Sequence, residues 1–366
     1  MSWNWELPNW PNFTFDPYPL ASLDKTFLLG VGRASAHLKM IDEQEYRRFI
    51  VEILSLEGIE SARIEGEILD RESLQSSIKK HFGFATVVQL KGGKESCMAK
   101  LLCDVYATFE EPLTHEMLWR WHNILFNGVS NLEDCGKYRT HPEPMQIVSN
   151  RYGSSHVFFE APPSSRVKEE MTQFIDWFNK PNKSGSILGQ AALAHVYFES
   201  IHPFEDGNGR IGRVLVEKIL AQSVGRSVLI AVSRVLEKER KEYYFELGKC
   251  NGTLDVQDWV AFFAKAVVQA QEESLDLLYF LIAKSKMLNS LAGQLNDRQE
   301  KVLLRMFAEG PSGFVGGLSA EKYVTITKTS RATATRDLTD LVQKGALRKT
   351  GELRHTRYWL NIPMAS

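Results

Sequence analysis

A chain of 366 residues is long for a single domain, so two or three modules are expected. An apolar fraction of 43% with 24% charged residues is ordinary for a globular protein, and a net charge of −1 excludes a global attraction to nucleic acid or membrane. The four cysteines (Cys97, Cys103, Cys135, Cys250) form no CxxC or Cys/His pairing, which argues against structural zinc and for reduced thiols.

The segment Met1 to Glu6 has no basic stretch leading into an apolar run, and no run reaches about 18 apolar residues. A soluble, cytoplasmic protein with no membrane partner is therefore expected. Residues 1 to 22 interleave Trp3, Trp5, Trp10, Phe13, Phe15 and Tyr18 with Pro8, Pro11, Pro17 and Pro19. The prolines forbid a helix and the aromatics are costly to leave in water, which predicts an extended arm lying against the body. From about Asp24 to Ile59 the apolar period is helical, through Phe27, Leu28, Val31, then Phe49, Ile50, Ile53 and Leu54. A shorter segment, Ser61 to Gly66, follows. Gly66 suits a helix C-cap, and Glu65 beside it is badly placed for a macrodipole that prefers cations there. Something outside the helix must favour that carboxylate.

Residues 70 to 129 read as further helices, one of them opened by Pro112-Leu113-Thr114 and carrying Leu118, Trp119, Trp121, His122 and Leu125. His122 is expected to be a partnered core histidine. Between Gly136 and Pro163 the pattern turns to β, in Tyr138-Arg139, Met145 to Val148 and His156 to Phe159, around Asn150-Arg151-Tyr152-Gly153. One hairpin in a helical background must lie over the helices, because alone it is only marginally stable.

The most informative stretch is His202-Pro203-Phe204-Glu205-Asp206-Gly207-Asn208-Gly209-Arg210-Ile211-Gly212-Arg213. It joins two amphipathic runs, Leu188 to Ile201 and Ile211 to Ser223, so the layout is helix, tight loop, helix. Pro203 ends the first helix. Gly207 and Gly209 allow positive φ around Asn208, so that successive amides turn inward at a helix start and form an anion site. Arg210 and Arg213 add two guanidinium groups, and Asp206 adds a hard oxygen ligand, which suits a Mg²⁺-bound polyphosphate. His202 supplies a group able to take a proton near pH 7, and Phe204 is expected to be a buried anchor. His195, Glu199 and His202 also share one helix face, the spacing of an alternative divalent-metal hydrolase. That alternative leaves the glycine nest and both arginines without a task, and His195 is read as a packing residue.

Beyond the loop, Ile211, Val214, Leu215 and Ile219 are read as the core face, with Arg210, Arg213 and Glu217 opposite. A helix with Tyr243, Tyr244 and Leu247 ends near Cys250-Asn251-Gly252. Leu254 to Leu291 is one long helix, and Gly293 to Asn296 reads as a hinge. Helices at Arg298 to Glu309, from Ala320 and at Ser330 to Gly345, followed by a strand at Arg354 to Leu360, resemble a winged helix-turn-helix. From Asn296 to Ser366 there are twelve Lys/Arg against seven Asp/Glu, an excess of five. With Thr333, Thr335 and Arg336 on the third helix, that balance leaves DNA contact and protein docking both open.

The twelve-residue stretch matches every fixed position of HPF-x-[D/E]-GN-[G/K]-R-x-x-R, and the chain resembles the Fic family, whose members mostly transfer AMP from ATP to a hydroxyl of a target protein. Ser61 to Gly66 matches the [S/T]-x-x-x-E-[G/N] inhibitory helix of that family. The resemblance implies a class II member with an N-terminal inhibitory helix (about 57–66), in which Glu65 pairs with Arg213 in place of the ATP γ-phosphate. It implies a mainly α fold, a Fic-type helical bundle with a β-hairpin flap plus the small C-terminal winged module. The divisions are 1–110 for the arm and helical region, 111–292 for the catalytic core, and 293–366 for the winged-helix-like domain. His202 is the implied catalytic base and Asp206 the Mg²⁺ ligand. Gly207, Asn208, Gly209, Arg210, Ile211, Gly212 and Arg213 line the ATP, Tyr244 and Asn251 flank its adenine, and Gln146, Ile147 and Val148 form the flap that holds the target by strand addition. The implied partner is a protein bearing a Ser, Thr or Tyr hydroxyl; self-modification, a homodimer and DNA contact through the C-terminal module are carried as further partners to test. Alternative activities are an ATP-gated transcriptional regulator, and AMP removal with water positioned by Glu65.

Overall fold

The computed structural model describes residues 2–84, 93–126, 128, 132–151, 154–180, 184–310 and 313–362. The chain divides into two compact units, Met1–Arg33 with Ile50–Glu272, and Ala34–Phe49 with Glu273–Ser366. No described helix is long and apolar enough to cross a membrane.

The first unit draws on helices α1 (Ala21–Leu38), α2 (Glu43–Ile64), α3 (Arg71–His81), α4 (Lys94–Ala107) and α5 (His115–Phe126), then on the hairpin β1 (Gln146–Arg151) and β2 (Ser154–Glu160). It continues with α6 (Ser164–Phe178), α7 (Ile187–Ile201), α8 (Asn208–Val224), α9 (Val232–Lys238), α10 (Arg240–Lys249) and α11 (Gln257–Ser290). Helices α1, α2 and α11 contribute residues to both units. The helical stretch expected from Asp24 to Ile59 is broken at residues 39–42, and Ser61 to Ile64 is the last turn of α2 rather than a separate piece. No Pro or Gly separates Ile59 from Ser61, so the helix runs on until Gly66 takes φ +79°.

Helices α7 and α8 form the centre. Ser186 caps α7 by accepting the Gly189 N–H at 2.9 Å, and nearly every side chain from Leu188 to Ile201 is buried. The sequence pattern gives helix α8 a polar face. Instead it is buried from Asn208 to Ala221 with few breaks, Arg210, Arg213, Glu217 and Lys218 included. Buried charge survives only where it is paired, and Lys218 Nζ donates to the carbonyls of Thr108 at 2.7 Å and Phe109 at 3.1 Å.

Strands β1 and β2 are antiparallel, pairing Gln146 with Glu160 and Ile147 with Phe159, then Val148 with Val157 past an irregularity between Ile147 and Val148. Tyr152 and Gly153 of the expected turn lie outside the described residues. Tyr138-Arg139 is irregular rather than a strand, because both side chains turn into the core. The aromatic arm packs against the body. Trp5 Nε1 donates to the Glu160 carbonyl at 2.7 Å, Trp3 meets Phe159 edge-on at 5.6 Å, and Trp10 meets Tyr197 at 5.3 Å. Buried Asn4 donates to Ser200 Oγ at 2.8 Å and to the Cys250 carbonyl at 3.0 Å.

The second unit carries α12 (Asp297–Ala308), α13 (Ala320–Thr327), α14 (Arg331–Gln343) and an antiparallel pair, β3 (Leu347–Thr350) and β4 (Arg357–Leu360). Asn296, Ser319 and Ser330 cap the three helices, and Asn296 shares a reciprocal capping box with Gln299. Val302, Leu303, Phe307, Tyr323, Leu338 and Leu341 form its core. Strand β3 was not predicted, since four residues with two exposed cations give no alternation to read.

Candidate active site

The loop between α7 and α8 is held from every side. His202 ends α7 in the left-handed region (φ 50°, ψ 60°), a costly conformation for a side chain with a Cβ. Buried Arg139 supports it: its Nε donates to the His202 carbonyl at 2.9 Å, and its backbone N–H donates to the Pro203 carbonyl at 3.0 Å. Phe204 is fully buried, its ring stacked on His122 at 4.2 Å and 11°. Asn208 turns its side chain inward across the loop. Its Oδ1 accepts the Phe204 N–H at 3.0 Å and its Nδ2 donates to the Phe204 carbonyl at 2.8 Å. Gly207 takes φ +80° as expected, but Gly209 lies within α8 and is not among the positive-φ residues. Its missing Cβ has a steric reason, since one placed there would stand 2.2 Å from Glu65 Oε1 and 3.0 Å from Arg213 Nη1.

That places Glu65 over the first turn of α8. Arg213, almost fully buried, donates from Nη2 to Glu65 Oε1 at 2.8 Å and to the Ser61 carbonyl at 2.9 Å, and from Nε to Ser61 Oγ at 2.9 Å. Burial alone would lower the guanidinium pKa; Glu65 foremost, with Tyr243 and Glu199, more than offsets this and raises it. The unfavourable position of Glu65 at a helix C-terminus is thereby explained, since its partner is on another helix. Arg210 donates to Asp206 Oδ1 at 3.2 Å, and Asp206 is more than half exposed at the mouth of the loop.

His202 Nδ1 lies 3.6 Å from Glu199 Oε2, inside ion-pair range and too long for a hydrogen bond. Burial pushes the Glu199 carboxyl up, and the two histidines and Arg213 more than reverse this, so it is held ionised. His195 bonds Tyr243 Oη through Nε2 at 2.8 Å, stacks on Trp259 at 5.7 Å and is kept neutral by burial. It is a packing residue, and no cluster of three or more His, Cys, Asp or Glu able to hold a metal occurs among the described residues. Ile211 is fully buried in the core, its N–H bonded to the Gly207 carbonyl, and Gly212 faces His195 and Glu199. Tyr244 Oη donates to the Ile64 carbonyl at 3.3 Å, and Asn251 Nδ2 donates to the Phe158 carbonyl of β2 at 3.0 Å. Gln146 bonds Glu160 across the hairpin, while Ile147 and Val148 are exposed.

Residues 112–220, which contain this whole loop and both helices that hold it, match the sequence model of the Fic/DOC family. The chain carries a Fic/DOC domain. Residues 3–84, upstream of the Fic domain, match a domain of unknown function, DUF4172. Curated relatives include the protein adenylyltransferase fic-1 of Caenorhabditis elegans, 24% identical over 60% of this chain and 40% of the relative. Another is the protein adenylyltransferase Fic of Nematostella vectensis, 33% identical over 34% of this chain and 28% of the relative. The chain thus spans well under half the length of these relatives. Among solved structures, a Fic family protein from Desulfovibrio desulfuricans G20 superposes with a TM-score of 0.55 at 22% identity, covering 96% of this chain and 98% of that one. A Fic domain containing signaling protein from Bacteroides thetaiotaomicron gives 0.51 at 19% identity, covering 69% and 97%. At these identities the likeness is one of fold.

The Fic loop suits a polyanion. Arg210 Nε and Arg213 Nη1 are buried donors with no partner among the described residues, and the first-turn amides of α8 have none within the helix. The Asp206 carboxylate is a hard oxygen donor beside them, the usual protein share of a Mg²⁺ site completed by phosphates and water.

The sequence reading found the loop and placed His122 as a partnered core histidine. It did not find which partners His122 has, and it missed Arg139, which carries no motif signal. His122 Nδ1 accepts the Gly136 N–H at 2.9 Å, which leaves Nε2–H to donate to the Asp206 carbonyl at 3.2 Å. Burial pushes its pKa down to about 4, against the pull of the Asp206 carbonyl. An unfolded histidine titrates near pH 6.5, so His122 contributes fully above that pH. That stability is lost as the pH falls through about 6.5 to about 4, on the order of 3 kcal/mol. His122→Asn has no such window, so urea midpoints of wild type and variant should converge across that range. Parallel profiles would show that the ring is not held neutral.

Proposed function

We propose that this protein transfers AMP from ATP to a Ser, Thr or Tyr hydroxyl of a target protein, and that it rests in a self-inhibited form. One observation carries the reading: an imidazole fixed in a strained loop stands beside a helix start where two buried guanidinium groups have unpartnered N–H donors. Similarity to relatives named protein adenylyltransferase supports the same assignment.

In this reading the triphosphate lies over the first turn of α8, where the amides of Gly207, Asn208 and Gly209 and the helix dipole favour an anion. Arg210 steadies the α- and β-phosphates and Arg213 the γ-phosphate. Asp206 would hold Mg²⁺, which supplies charge neutralisation to the polyphosphate. Glu199, ionised and within ion-pair range of Nδ1, stabilises the imidazolium that forms as Nε2 takes the proton from the attacking hydroxyl. As the oxygen bonds to the α-phosphorus, the bond to the bridging β-phosphate oxygen breaks and pyrophosphate leaves. Tyr244 and Asn251 flank the adenine. Among the described residues strand β1 pairs only with β2, so its outer edge, with Ile147 and Val148 exposed, suits addition of a target strand. Glu65 holds the guanidinium that the γ-phosphate needs, with Ser61 as the second half of that grip.

Incubation with ATP labelled at the α- or the γ-phosphate tests the assignment. Acid-stable label on protein from the α-position alone is expected; label from the γ-position would make the protein a kinase and overturn it. The C-terminal module (293–366) supports a second, compatible role as a winged helix. Helix α14 exposes Arg331, Thr335 and Arg336, and the β3–β4 hairpin exposes Arg348 and Lys349. Filter binding to duplex DNA should weaken steeply between 50 and 200 mM salt; no binding at low salt would assign the module to protein contacts.

A further inference from the structure

Gly66 turns the chain after Glu65, and two residues on, Glu67 reaches the other arginine of the loop. Glu67 Oε2 accepts from Arg210 Nη1 at 3.0 Å, and its Oε1 accepts from Lys94 Nζ at 2.7 Å. The Arg210 side chain is only 6% exposed and its guanidinium lies over the Phe126 ring, 5.0 Å from the centroid. An exposed ion pair would be worth little, but this one is shielded on the arginine side and carries a charge-assisted hydrogen bond. Glu67, Lys94, Asp206 and Arg210 line one cavity of about 220 Å³ with Met98 and Phe126. Both arginines assigned to the phosphates are therefore held by carboxylates on either side of a single glycine.

We propose that Glu67 sets the affinity for ATP by competing with the phosphates for Arg210, as a second latch on the same turn as Glu65. The proposal rests on the reading of the loop as an ATP site. A carboxylate bonded to Arg210 repels an incoming polyphosphate and occupies the donor that would meet it. Because Glu65 and Glu67 flank Gly66, withdrawal of this one turn frees both guanidinium groups together. Removing either carboxylate alone leaves the turn held by the other, so the two effects multiply rather than substitute for each other.

The experiment is a fluorescence titration of the full chain with a methylanthraniloyl derivative of ATP and Mg²⁺, for wild type, Glu65→Gly, Glu67→Gln and the double variant. Glu67→Gln should tighten Kd about 3- to 10-fold in both backgrounds. An unchanged or weaker Kd overturns the proposal, because a residue that merely orients Arg210 or braces the fold would give that result together with a lower Tm. If the double variant does not fold, Glu67→Asp decides, since a shortened carboxylate keeps its charge but loses reach and should give an intermediate Kd. If no variant transfers α-label while the Kd series behaves as expected, the transferase reading fails and the latch stands.

Discussion

His202→Ala should lower AMP transfer by about 10²- to 10⁴-fold, the range that a positioned general base contributes. The fold should survive. His202 already occupies the left-handed region, and the loop around it is fixed by groups other than the imidazole: the Arg139 guanidinium on its carbonyl, the Phe204–His122 stack and the Asn208 clasp. Alanine at φ 50° adds little strain that histidine does not already bear, so the melting temperature should move by a few degrees at most. Affinity for ATP should be unchanged, because the arginines and the α8 amides remain. Transfer is read from α-labelled ATP and affinity from nucleotide titration. A variant that still labels protein at the wild-type rate removes His202 from the chemistry.

Glu65→Gly should raise transfer by about 10- to 100-fold. A hydrogen-bonded ion pair shielded on the arginine side is expected to be worth roughly 1.5–3 kcal/mol to the closed state, and the apparent affinity of a ligand falls by the fraction of molecules competent to bind it. Arg213 does not collapse when Glu65 is removed, since Ser61 still holds its Nε and Nη2. The gain should appear first as tighter apparent ATP binding, with wild type and variant converging at saturating nucleotide. Self-labelling over a range of ATP concentrations measures it. No gain, with ATP bound normally by both proteins, would leave the Glu65–Arg213 pair a brace and not a brake.

Local signals carried most of the fold and much of the site. The loop was legible because its chemistry is compressed into twelve consecutive residues, and Glu65 because a carboxylate beside a C-cap glycine has no local justification. That the arm packs on the body was legible from proline and tryptophan together; its 3₁₀ turns at Asn4–Glu6 and Tyr18–Leu20 were not. What local signals could not carry was pairing at long range. His122 and Arg139 brace the loop from 84 and 63 residues away, and nothing in their own neighbourhoods distinguishes them from other core residues. The polar face expected for α8 failed for a related reason: periodicity says which side chains share a face, but not that α2 covers that face with Ser61 and Glu65. Tyr138-Arg139 imitated a strand because alternation is easily produced by irregular chain. Strand β3 escaped because four residues are too few to alternate.

The ties of the N-terminal arm bear on the order in which the molecule is built. Asn4 reaches Ser200 and Cys250, Trp5 reaches Glu160, and Thr14 bridges to Asp255. The residues of the arm therefore wait for partners synthesised some 150 to 250 positions later. During that interval the three tryptophans and two phenylalanines of the arm lack the surface they finally bury against. Dilution from denaturant should accordingly show a slow last phase in tryptophan fluorescence as these distant ends find each other.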